Sequence, residues 1–187
     1  MDAFNYLSVL VSIILGLGIT QLLSSVARAV EHRDTGSLYL PSIAWFLVLL
    51  LCHIQTWWSF FGLSTHKNWH FIEFLFVLIQ PIGLYLLSVL VLPSESAANK
   101  DQKSWYGAQR RAFFYLLALF ILFSLSRDIV FFGRLPQTAN AVFQVVLFLG
   151  AIVAALNANE RLHQSFALVS LGAFVLYIAL LFSRLGA

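Results

Sequence analysis

The segment "HKNWHFIEF" places His66, His70 and Glu73 at successive spacings of four and three residues, with Gln80 seven further on. On one continuous helix these positions share a face. Two imidazoles and a carboxylate can bind a transition metal, so His66, His70 and Glu73 form a candidate metal site. Three ligands on a single helix are a weak metal signature, and the competing expectation is a pair of ordinary interfacial histidines.

Glu73 poses a sharper question. It falls about one turn inside an apolar run that begins at Trp69, where an unpaired charge would cost several kcal/mol. It needs a proton, a cation or water. Arg127 is the expected cation. In "FSLSRDIVFF", Ser124, Arg127 and Asp128 stand at i, i+3 and i+4 on one helical face. At 1.5 Å per residue Arg127 lies about 24 Å beyond Arg111, close enough to the far boundary of a bilayer to snorkel, whereas Asp128 is too short to do so.

His53 lies in another apolar run, with Thr56 and Trp57 on the same side. No second histidine occurs at similar depth, so a two-histidine haem is not expected. A proton-accessible role beside Glu73 and Arg127 is the functional alternative to a hydrogen-bonded structural histidine. Gln80 precedes Pro81 in mid-segment, where the lost backbone N–H bends a helix. His53, Glu73, Gln80, Arg127 and Asp128 are thus the expected polar cluster within the membrane.

A different chemistry governs "YLSVLVSIILGLGITQLLSS", where Ser8, Ser12, Gly16, Thr20 and Ser24 recur at every fourth residue. Small residues let helices approach closely in lipid, where hydrophobic burial does not drive association. The stripe is expected to receive a helix of the same chain; a partner helix or a second copy is the alternative.

The elements that must hold these groups follow from composition. Of 187 residues, 60% are hydrophobic and 10% charged, against roughly 25% charged in soluble domains. Lipid is therefore the expected solvent for much of the exterior, and the bilayer the expected partner. Six segments reach the roughly 20 residues that a span requires: 4–30, 41–63, 69–92, 112–132, 138–157 and 165–185. The fold class predicted is all-α, a six-helix membrane bundle with no soluble domain; the first apolar run exceeds the core of a signal peptide and reads as a retained helix. The links are short except 93–111, which is too polar and too small to fold alone. Asn140, Gln144, Ala151 and Ala155 on the fifth segment, and Gly172, Ala173 and Ala179 on the sixth, are expected to face the bundle.

Lys and Arg serve as topology markers. Links after segments one, three and five hold seven of them, against four on the opposite side. The positive-inside bias puts both termini outside and 93–111 in the cytoplasm, in a plasma membrane of the bacterial inner-membrane type. The formal charge of +3 is dispersed between apolar runs, so no nucleic-acid partner is expected. Cys52 stands alone as core filler.

No nucleophile elbow, phosphate loop or metalloprotease pair occurs, and "GLG" at Gly16 to Gly18 is no dinucleotide fingerprint. The expected function is a small transport or channel unit for protons or small cations. The alternatives are a non-catalytic scaffold or accessory subunit, and a metal-dependent membrane enzyme.

Overall fold

The computed structural model describes residues 3–31, 39–66, 68–92, 102–133 and 138–181. Its elements, in chain order, are α1 (Ala3–Glu31), α2 (Leu40–Phe60) with a 3-10 turn at Phe61–Leu63, α3 (Phe71–Val91), α4 (Gln102–Phe132), α5 (Thr138–Leu156) and α6 (Glu160–Leu181). No strand occurs among the described residues, and all six α-helices are long and apolar enough to cross a membrane.

Local chemistry explains several ends. Pro41 stands at the start of α2, where its missing N–H is no loss. Gly133 closes α4 with φ of 61°, a backbone conformation that glycine adopts without strain. Asn159 accepts a hydrogen bond from the Arg161 N–H at 2.9 Å and so caps α6.

Two starts differ from the sequence expectation. Helix α4 begins at Gln102 rather than near 112, so half of the supposed 93–111 link is helical. Helix α6 begins at Glu160 rather than 165. In both cases the added turns are polar on one side, and hydropathy alone passes over them.

Short connections make the helices alternate in direction. The near end, where α1 starts, also holds the end of α2 and the start of α3, as the stacking of Phe4 on Phe60 at 5.1 Å shows. The far end joins the starts of α2, α4 and α6. Round the bundle, neighbours run α1, α3, α4, α5, α6, α2 and back to α1, and a direct α2–α3 contact crosses the ring. That contact sets α1 to one side and leaves a larger space among α2 to α6.

The core is aromatic at its far-end half. Trp45 is fully buried, with Phe113, Phe114 and Phe166 edge-on at 5.4, 5.5 and 5.5 Å. Such contacts lock ring orientation as well as burying area.

The opening stripe does not take part in this core. Helix α1 turns Leu7, Val11, Leu15, Gly18, Leu22 and Ser25 inward, while Ser12, Gly16 and Thr20 are exposed. Gly16 has no heavy atom within 4 Å of the place a Cβ would take. The close approach falls instead at Gly18, where a Cβ would run into the His53 ring. On α6, Gly172 and Ala179 likewise face outward, and the inward face is His163, Ala167, Ser170 and Phe174.

Candidate functional site

Helix α3 breaks its own ladder where the site begins. Pro81 has no N–H to give the Val77 carbonyl, and Gln80, Pro81 and Val77 line a recess of about 20 Å³. Arg127 of α4 and Thr56 of α2 face the same recess. The guanidinium donates from Nη1 to the Ser59 Oγ at 3.4 Å, and Ser59 donates in turn to the Thr56 carbonyl at 3.1 Å. A recess of this size holds about one water.

Thr56 and Gln80 also line a second, larger space. This central cavity, about 60 Å³, lies among α2, α3, α4, α5 and α6, in the space that the α2–α3 contact leaves open. Its polar wall includes Gln55, Thr56, Gln80, Ser124, Gln144, Ser170 and Tyr177; Leu117, Phe120 and Phe174 are among the apolar residues that complete it.

The wall contains polar atoms that the protein leaves over. Asn140 Oδ1 accepts from Gln144 Nε2 at 2.7 Å and from the Tyr177 hydroxyl at 2.9 Å. Because a carbonyl oxygen only accepts, Gln144 must present its NH₂ there, which turns its Oε1 away. That Oε1 is buried with no hydrogen-bond partner, and so is the Oγ of Ser170, a residue only 4% exposed. Buried polar groups in folded proteins are otherwise nearly always paired.

The five residues of the expected polar cluster separate. Gln80 and Arg127 meet at the small recess. Glu73 sits at the first turn of α3, where its Oε2 accepts the His70 backbone N–H at 3.0 Å and lies 3.2 Å from His66 Nε2. It therefore finds its partners in the preceding turn rather than in Arg127. His53 is fully buried on α2, donating from Nδ1 to the Leu49 carbonyl at 2.7 Å, with Nε2 against Gly18 and unpartnered. It belongs to a groove between α1 and α2 that also contains Ser12, Gly16 and Trp57. The side chain of Asp128 lies outside the described residues.

His66 and His70 are not on a helix with Glu73, because α3 starts only at Phe71. Among the described residues no three His, Cys, Asp or Glu side chains converge as a metal would need. The triple spacing reflects a turn folded back on its helix, with the Glu73 carboxylate as cap.

At the far end a second polar cluster escaped the sequence reading. His163 is 2% exposed and engaged at both ring nitrogens. Its Nε2 lies 2.8 Å from the Asn157 carbonyl and must donate to it; in the neutral ring Nδ1 then accepts from the Tyr106 hydroxyl, also at 2.8 Å. Lys103 and Glu160 pair at 2.8 Å beside it, and Gln102 accepts the Tyr39 N–H at 3.0 Å. Burial raises the Tyr39 hydroxyl above its ordinary range; nearby Glu160 adds to this and Lys103 opposes it. The Asn159-Glu160 start of α6 was the sequence signal that would have brought His163 inside a helix.

Compared with protein-family models, with curated proteins and with solved structures, the chain matches none.

Proposed function

We propose that the protein is a small integral membrane transport or channel-like unit whose path runs through the two adjacent spaces inside the bundle. A bilayer location is supported by the outward apolar surface: Phe71, Ile72, Val146, Leu156, Val169 and Leu180 are each well over half exposed on helices of spanning length. The charge asymmetry supports the near end as the outer one. Of the 11 Lys and Arg in the sequence, seven belong to the far end and four to the near.

The observation that carries the transport reading is that Thr56 and Gln80 line both spaces. Polar groups thus extend from Arg127 near the outer end to Gln144 and Ser170 deeper in the bundle. Polar residues at such depth are expensive unless they pair or serve a pathway.

The test is flux through purified protein in liposomes, measured for protons, potassium and small uncharged solutes. Gln80→Leu should return the conducted species to the rate of protein-free vesicles without loss of fold. Wild-type flux equal to that of protein-free vesicles for every species would remove this reading.

The second reading is an assembling scaffold subunit, favoured by the outward stripe of α1 around Gly16. Under it, Gly16→Leu changes the oligomeric mass in detergent; an unchanged mass argues against it.

A further inference from the structure

We infer that the central cavity is a site for a small uncharged solute that both donates and accepts hydrogen bonds, of the polyol or amide kind, rather than for a cation. The inference rests on the transport reading, and narrows it to a cargo class.

The first ground is the pair of unused polar atoms. Ser170 Oγ on α6 and Gln144 Oε1 on α5 are both buried, both without partners, and both belong to residues that line one cavity. A hydroxyl can donate or accept, while an amide oxygen can only accept. A molecule satisfying both needs at least one O–H or N–H of its own. Gln55, Thr56, Gln80 and Ser124 add further amides and hydroxyls around the same space.

The second ground is charge. None of the described residues lining the cavity is acidic or basic. The adjoining recess is faced by the Arg127 guanidinium, which offers hydrogen-bond donors and no acceptor. A desolvated ion deeper in would meet dipoles but no counter-charge.

The third ground is size and shape. About 60 Å³ corresponds to roughly four to six water-sized positions at ~10–15 Å³ each, enough for a molecule of a few heavy atoms. Leu117, Phe120 and Phe174 offer an apolar wall to its carbon face.

The experiment uses the full chain in liposomes, shocked with glycerol or acetamide and followed by stopped-flow light scattering. Uptake should exceed that of protein-free vesicles. Ser170→Val, which removes the hydroxyl and fills space, should reduce it about tenfold, the equivalent of one lost hydrogen bond. Ser170→Thr keeps the hydroxyl and should retain most of the uptake. Thermal melting of both variants near that of wild type shows that folding is not the cause.

Potassium or proton flux without glycerol or acetamide uptake overturns the solute class and leaves transport standing. Raised water permeability alone also overturns it. If no species moves, transport fails, and the site is then tested by titrating acetamide against the Gln144 side-chain amide signal in micelles. A saturable shift that Ser170→Val abolishes keeps the site as a binding pocket; no shift ends it.

Discussion

The far-end cluster and the central cavity both bury polar groups between helices, yet they treat their polar atoms differently. Around His163 each ring nitrogen has a partner, the α5 carboxyl-terminal carbonyl is capped, and Lys103 answers Glu160. Around Ser170 and Gln144 two buried acceptors have none. A satisfied buried network rigidifies a fold. An unsatisfied one weakens it unless something else completes the bonds. The difference teaches that His163 is architecture, and that the cavity is one of the places where this molecule leaves buried polar atoms unanswered; it is set apart by two of them, Ser170 Oγ and Gln144 Oε1, lining one space.

The largest effect expected from this contrast is at His163. His163→Ala strands the Asn157 carbonyl and the Tyr106 hydroxyl and leaves a void between Phe114 and Tyr106, at a cost of about 3 kcal/mol or more. Unfolding in detergent measures it. A loss within about 0.5 kcal/mol, the range of an ordinary surface change, would break the comparison.

Much of the fold was legible, because six apolar runs of spanning length leave little choice of element or order. What the apolar count could not register was the first turns of α4 and α6. Residues 102–111 read as a polar link, but Trp105 donates to the Leu90 carbonyl, Tyr106 meets His163, and Lys103 meets Glu160. Those partners lie far off in sequence and make a polar stretch fold as helix. Gln80 was legible as an amide beside a proline in an apolar run. Ser170 was not, since a lone hydroxyl on a membrane-type helix carries no signal until the packing of five helices decides what it faces. The small-residue stripe of α1 makes a related point, with Ser12 accepting from the Trp57 indole N–H of α2 while Gly16 and Thr20 are exposed. Spacing fixes which residues share a face, and only packing fixes which face turns inward.

A second effect separates the two glycines of α1. Gly18→Leu drives a side chain into the buried His53 ring, an overpacking worth about 1–3 kcal/mol. Gly16→Leu meets open space and replaces a poor helix former, so monomer stability should hold or rise by up to about 1 kcal/mol. Thermal melting of the two variants side by side checks this. If Gly16→Leu proves the more damaging, α1 presents the opposite face to the bundle, and the placement of His53 falls with it.

The smallest effect expected is at Glu73, and it sharpens the contrast most. Glu73 is titratable and lies in the first turn of a helix long and apolar enough to cross a membrane, which by residue type alone makes it a candidate for moving protons. Its bonds assign it instead to the satisfied class, capping α3 and contacting His66. Gln in its place can still accept the His70 N–H and loses only the charge at a helix start, worth about 0.3–1 kcal/mol. Glu73→Gln should therefore lower the melting temperature slightly and leave solute flux unchanged, where Gln80→Leu abolishes it. Should Glu73→Gln instead alter flux far more than folding, the division between satisfied and unsatisfied polar groups fails as a guide, and the conducting path passes His66 at the outer end rather than the central cavity.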